Sequence, residues 1–214
     1  MTTIVFDGKT VAADSRRTYR TTQTDTIIKI IKLDSPLPIY SDDQGTINAI
    51  AYSGSVSAFT KFHEQLLESF KPSPVRPLSP HHCIKLYLDD VHHFSFQPPG
   101  FSAMFIGSQV INGVETPKVW TSKRGLVPLK GTTKPCGIGS GMAILENIYL
   151  LNKKLSASDL VHVATTYDEC SGGAIMTYNP LTCKLSMKQP PTPATVKRIA
   201  NVIMKGMVLA MTPS

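Results

Sequence analysis

Thr2-Thr3-Ile4-Val5-Phe6-Asp7-Gly8-Lys9-Thr10-Val11-Ala12-Ala13-Asp14-Ser15-Arg16 is the stretch whose reading decides the fold. Residues 3–6 and 9–13 are β-rich runs on either side of Asp7-Gly8, so the spacing predicts a hairpin. Loop length then decides which side chains share a face. A two-residue loop, Asp7-Gly8, pairs Phe6 with Lys9 and sets Thr2 and Asp14 on opposite faces. A three-residue loop, Phe6-Asp7-Gly8, puts Gly8 in the left-handed position of a bulged turn. It pairs Val5 with Lys9 and Thr2 with Ala12. Asp14 then lies on the face of Thr2, because strand side chains alternate. The three-residue loop is the expectation.

Outward from this hairpin, a second strand pair is expected near 26–33 and 46–53, with Asp34-Ser35-Pro36-Leu37-Pro38 as a loop. A helix follows over 55–70, with Phe59, Phe62, Leu66 and Phe70 on one face. The Pro-rich run 71–77 breaks it. Apolar helical spacing resumes at Ile84, Leu88 and Val91, so the break reads as a loop inside one domain spanning 1–214. Strands at 103–111 and 115–122 meet at Asn112-Gly113, a strong hairpin signal. One helix is expected after Gly139-Ser140-Gly141, with Ile144, Leu145, Ile148 and Leu151 inward. Another begins at Ser156, capped with Asp159. Strands at 174–178 and 184–188 precede a last helix after Pro193, carrying Val196, Ile199, Ile203 and Met207. Helices arrive in pairs, which favours antiparallel sheets covered by helix layers over a doubly wound parallel sheet.

The chain has 214 residues, 42% hydrophobic and 17% charged, which excludes a disordered chain. Its net charge of +7 comes from scattered Lys and Arg and reads as solvated surface; nucleic acid is not an expected partner. Trp120 beside Lys118, Lys123 and Arg124 is explained equally well by strand alternation. No stretch reaches the length of a membrane span, and Met1 to Val5 lacks the pattern of a secretory signal, so the expected location is the cytoplasm. There Cys83, Cys136, Cys170 and Cys183 are expected as free thiols. His81-His82 and His92-His93 lack an acidic partner at ligand spacing, so neither a metal nor a cofactor is expected.

Thr2 carries the first candidate chemistry. A threonine hydroxyl needs a base to take its proton. An N-terminal threonine has one in its own α-amine, whose unperturbed pKa of about 7.7–8.0 lies near neutrality. Removal of Met1 would free it, and a small second residue favours that removal. The other candidates have ordinary readings when taken singly. Lys29 reads as an exposed strand lysine, Asp14 and Thr18 as turn residues, and Ser140 as an N-cap. Gly139-Ser140-Gly141 is followed by Met142, so it is neither a nucleophile elbow nor a dinucleotide loop.

Taken together, the pieces resemble the proteasome β-subunit/HslV family of N-terminal-nucleophile hydrolases. The opening Thr2-Thr3-Ile4-Val5, Gly8, Val11 to Arg16 and Thr18 match the start of its mature chains. Lys29, Ser53-Gly54-Ser55-Val56, Gly139-Ser140-Gly141 and Asp168-Glu169-Cys170-Ser171-Gly172-Gly173 follow in the family's order. The first hairpin is shorter than usual, the stretch between Lys29 and Gly54 is longer, and residues 72–135 show no clear match. The resemblance implies a four-layer αββα sandwich and a threonine-type endopeptidase. Thr2 would be the nucleophile and Lys29 would lower the pKa of its hydroxyl. Asp14 would hold Lys29, and Gly54 N–H would face the developing oxyanion. Ser140, Asp168 and Ser171 would orient the Thr2 amine. Thr18 would pair with an extended peptide, and Arg17, Ile27, Ile31, Tyr52 and Val56 would line the substrate pocket. The implied partners are a peptide or unfolded protein as substrate, further copies of the chain in a ring, and a separate ATPase. Two alternatives stand beside this reading: a stand-alone amidase with the same chemistry, and a non-catalytic subunit or mimic that docks on another protease.

The intact mass of the purified, soluble protein should correspond to a chain beginning at Thr2. Full retention of Met1 would contradict a catalytic Thr2, because an amide nitrogen is no base.

Overall fold

The computed structural model describes residues 2–19, 22–39, 45–69, 100–123, 126–142, 145, 148, 155–189, 199 and 201. Twelve strands and two helices of defined extent occur among them. The strands are β1 (Thr3–Phe6), β2 (Val11–Asp14), β3 (Arg17–Tyr19), β4 (Thr22–Thr24), β5 (Ile30–Ile39) and β6 (Gly45–Gly54). After helix α1 (Val56–Ser69) come β7 (Phe101–Ile111), β8 (Val114–Lys123), β9 (Leu126–Thr132) and β10 (Cys136–Gly139). Helix α2 (Ala157–Tyr167) precedes β11 (Ile175–Asn179) and β12 (Lys184–Lys188).

One five-stranded antiparallel sheet has the order β10-β1-β2-β11-β12. A second runs β5-β6-β7-β8-β9, also antiparallel throughout. Strands β3 and β4 form a separate two-stranded ribbon. The expected four-layer αββα sandwich is therefore corrected. The described residues build a mostly β architecture of three antiparallel sheets with two helices. Apolar periodicity missed the ribbon, whose β4 residues are all exposed and carry no apolar alternation. The helix expected around Ile84, Leu88 and Val91 lies outside the described residues. So do Ile144 and Leu151, the start of the last helix, Arg124, the four clustered histidines and Cys83.

Side-chain alternation sorts the core. Along β6 and β7, Ile50, Tyr52, Phe101, Ala103 and Phe105 turn to α1 and meet Phe59, Phe62 and Leu66. The alternate residues Ala49, Ala51, Met104 and Ile106 join Ile4, Phe6, Val11, Ala13, Met176 and Tyr178 between the two large sheets. On the far face of the first sheet, Val5, Ala12 and Ile175 pack on Leu160, Val161 and Ala164 of α2. Trp120 belongs to the cluster beneath α1, with Lys118 Nζ 5.3 Å from its ring centre, so the pair lies within the sheet's packing.

Two local expectations are corrected by side-chain chemistry. Phe6 pairs with Val11, so the first hairpin closes through a four-residue loop, Asp7 to Thr10. Asp7 explains the extra residue. Its Oδ1 accepts from the N–H groups of Lys9 and Thr10, both at 2.8 Å, a side-chain turn that glycine-based loop counting does not register. Its Oδ2 accepts the Ala157 N–H at 2.8 Å and so serves the first turn of α2 as well. The predicted loop at Pro36 and Pro38 is instead part of β5, with a register shift between Lys32 and Leu37. Strand β5 is an edge strand, where a proline's missing N–H can face away from the ladder. The Asn112-Gly113 turn and the Ser156–Asp159 capping box occur where the sequence predicts them.

Phe59 stacks on Tyr52 with ring centres 3.9 Å apart and planes 6° from parallel. Because Phe59 is fully enclosed, Phe59→Ala should cost about 3–5 kcal/mol of stability. Urea unfolding measures this. A loss within about 0.5 kcal/mol, typical of a surface position, would contradict the packing of α1 described above.

Candidate active site

Strand β1 begins at Thr3, and the β1–β2 register, extended by one residue, puts Thr3 opposite Asp14. Asp14 therefore shares a face with Thr3 and not, as the three-residue loop implied, with Thr2. Thr2 precedes the ladder and is buried. Its carbonyl oxygen accepts the Ser140 N–H at 3.0 Å. Gly139 makes this possible: its φ is +104°, and a Cβ there would collide with the Thr2 carbonyl.

Asp14 is fully buried and Lys29 is 3% exposed. Lys29 Nζ lies 3.2 and 3.3 Å from the two Asp14 oxygens and also donates to the Arg16 carbonyl. Asp14 accepts three backbone N–H groups besides: Thr3 at 2.8 Å, Gly172 at 2.9 Å and Arg16 at 3.2 Å. Burial, the largest influence on each group, pushes Lys29 below the ordinary lysine value and Asp14 above the ordinary carboxylate value. Their attraction opposes both shifts. A lysine held this way can favour proton loss from a neighbouring hydroxyl while releasing its own proton more readily than a surface lysine.

A second cluster lies beside the first. The C-cap of α2 is Asp168, whose N–H bonds Ala164 O. Its Oδ2 accepts from Ser140 Oγ at 2.6 Å and Ser171 Oγ at 2.8 Å, and its Oδ1 from Cys170 N–H at 3.0 Å. Ser171 Oγ also pairs with Thr3 Oγ1 at 2.7 Å. Burial alone would raise the Asp168 carboxyl, but the Ser140, Ser171 and Cys170 donors outweigh it and hold it below its usual value.

Gly54 ends β6 opposite Phe101, and Ser53 Oγ lies against Gly139, so this strand end borders the Thr2 carbonyl. Ile31 and Val56 pack on the cluster that contains Tyr52. The Tyr52 hydroxyl donates to Ile28 O at 3.3 Å. Burial pushes this phenol up, with the positive charge of Arg17 opposing. Ile27 donates its N–H to Ser15 O at 3.1 Å. Thr18 pairs with Gln23 in the ribbon, and its Oγ1 is buried without a hydrogen-bond partner among the described residues. Cys170 and Cys183 are free thiols. No three His, Cys, Asp or Glu side chains among the described residues are grouped to hold a metal. No helix among them is long and apolar enough to cross a membrane.

The roles of four residues went unnoticed in the sequence. The Thr3 side chain joins the Asp168 cluster, and Arg16 forms a two-pronged ion pair with Asp25 at 2.8 and 3.0 Å. Ser15 Oγ donates to Asp25 O at 2.6 Å. Nothing in the nine-residue spacing of Arg16 and Asp25 signals a pair. It arises because the ribbon returns the chain to its starting point.

The Asp168 shift gives a signed pH dependence. A carboxyl whose folded value is depressed adds stability above its unfolded value, 3.8, and loses it as pH falls through the folded value. Asp14, raised by burial, works in the opposite direction. Asp168→Asn should therefore flatten the loss of stability below about pH 5, followed by urea unfolding. An equally steep loss in the variant would contradict an ionised, hydrogen-bonded Asp168.

No family model matches the chain, and no curated protein matches it. Among solved structures, the chain is similar to Anbu (ancestral beta-subunit) from Yersinia bercovieri, with a TM-score of 0.60 at 12% identity. The alignment covers 100% of this chain and 99% of that one. It is also similar to Anbu from Hyphomicrobium sp. strain MC1, with a TM-score of 0.62, 11% identity and the same coverage. The sequence resemblance to proteasome β subunits and HslV is thus corrected, since these neighbours form a proteasome-like but distinct family. The quoted motifs are turns, strand ends and a strand-start lysine, features too few and too short to tell one branch of such proteins from another. What the likeness establishes for this chain is the fold.

Proposed function

We propose that the chain is a threonine-type endopeptidase in which loss of Met1 frees Thr2 to attack a peptide carbonyl. The observation that carries this reading is the buried Lys29–Asp14 pair, bonded to the Thr3 N–H and so one residue from the Thr2 hydroxyl. The fold shared with Anbu supports it at the level of architecture. Thr2 Oγ1 loses its proton to the α-amine and bonds to the carbonyl carbon. Lys29 stabilises the oxygen as its proton departs, and Asp14 holds Lys29. The Gly54 N–H donates to the oxyanion, an interaction that can be worth about 2.7–4 kcal/mol. The leaving amine takes the proton, and water then cleaves the ester. Ser140, Asp168 and Ser171 keep the Thr2 amine oriented. Residues 1–214 act as one domain on an extended peptide paired beside Thr18. Assembly of several copies into a ring, supplied with unfolded protein by a separate ATPase, would keep folded proteins from such a site.

Thr2→Ala should abolish hydrolysis, and Thr2→Ser should retain part of it. Lys29→Ala should lower kcat at least about a hundredfold. Because it leaves a buried carboxylate, it can also cost about 3–5 kcal/mol of stability, so Lys29→Arg, which keeps the charge, is measured beside it. A fluorogenic peptide panel with circular dichroism provides the readout. Cleavage should be better after small or medium apolar residues than after Lys or Arg, given Tyr52, Ile31, Val56 and the charge of Arg17. A folded Lys29 variant with wild-type turnover would contradict the proposal.

A further inference from the structure

The proposed reaction needs Lys29 held in one place, yet Asp14 alone does not fix it. The third acceptor around Nζ is the Arg16 carbonyl, a backbone atom whose position depends on what the Arg16 side chain does. That side chain bridges three segments. Its guanidinium grips both Asp25 oxygens, donates to Ser171 O at 3.4 Å, and lies so close to Gly172 that a Cβ there would collide with it. Gly172 in turn supplies an N–H to Asp14 and a carbonyl to the Ser15 N–H. Asp25 accepts Ser15 Oγ through its own carbonyl, four residues before Lys29. One ion pair thus touches the segment before Lys29 and the single turn that carries Ser171 and supports Asp14 through Gly172.

We propose that Arg16 and Asp25 form a positioning clamp that holds the Lys29 ammonium between the Asp14 carboxylate and the Arg16 carbonyl. The clamp rests on the hydrolase reading only for its kinetic consequence. The geometry it enforces exists whether or not the protein turns over substrate. Its side chains are 24% and 43% exposed, and an ion pair so exposed contributes little to global stability. Loss of the clamp should therefore loosen Lys29 and leave the fold standing. A flat lysine-for-arginine exchange cannot replace it, because only the guanidinium presents two parallel donors.

Asp25→Asn, Arg16→Lys and Asp25→Glu are compared with wild type in two measurements. The first is the rate at which acetic anhydride labels each lysine in the folded protein, resolved by peptide mass spectrometry. Lys29, enclosed in wild type, should label several-fold faster in Asp25→Asn and Arg16→Lys, with other lysines unchanged and Asp25→Glu closer to wild type. The second is peptide hydrolysis, where kcat should fall on the order of tenfold to a hundredfold with KM within about twofold, since small displacements of a catalytic group cost that much. Unchanged Lys29 labelling in folded Asp25→Asn would overturn the clamp. Faster labelling in the variants, with no hydrolysis by the wild-type protein, would overturn the peptidase reading and support the clamp.

Discussion

Everything near the start of the chain depends on one buried ion pair, Lys29 with Asp14. Two charges taken from water this completely cost several kcal/mol each unless their surroundings replace the lost solvation. Here they do. The carboxylate receives N–H groups from Thr3, Arg16 and Gly172, and the ammonium has both carboxylate oxygens and the Arg16 carbonyl. Those donors come from β1, from the start of the β3–β4 ribbon and from the turn after α2. The pair is affordable only where three distant segments converge, so it specifies that convergence. Such an arrangement is a poor way to gain stability against an apolar core, and its persistence fits a chemical use.

The sheets supply the convergence. Strand β1 is flanked by β10 and β2, and β2 by β11, so Gly139, Asp14 and the Gly172 turn are all brought to the end of the sheet where Thr2 enters. The second sheet, packed on the first through Met104, Ile106, Ala49 and Ala51, brings the Ser53-Gly54 end of β6 to the same place. Helix α2 delivers Asp168 as its last capping residue, and its own first turn is tied back to the hairpin loop through Asp7. A single helix thus sets the spacing between hairpin loop and site. Rigid elements, with short turns between them, hold the polar groups.

Legibility from sequence followed the strength of each physical signal. Phe59, Phe62 and Leu66 announced α1 because three large apolar side chains at helical spacing have few other uses. Asn112-Gly113 and Ser156–Asp159 were readable because turn and cap chemistry is local. The loop at Asp7 was misjudged because its length is set by a carboxylate that serves three residues, one of them 150 residues away. The two prolines of β5 read as a loop because edge strands tolerate what central strands do not. Asp14, Lys29, Ser140, Asp168 and Ser171 were singled out by order of motifs, and the hydrogen bonds among them are tertiary facts that no window of sequence contains. The Arg16–Asp25 pair had no signal at all, since neither residue type nor spacing distinguishes it from surface charge.

Thr2, and no other hydroxyl in this crowded polar cluster, is the proposed nucleophile. Treatment with a peptide β-lactone, an electrophile that acylates a reactive hydroxyl, followed by mass spectrometry of the digested protein, tests it most directly. The expected result is one acyl group per chain, on the peptide that begins with Thr2, and none on chains that retain Met1. Acylation of Ser140, Ser171 or Thr3 in place of Thr2, or an unmodified protein at full occupancy of the free terminus, would contradict it.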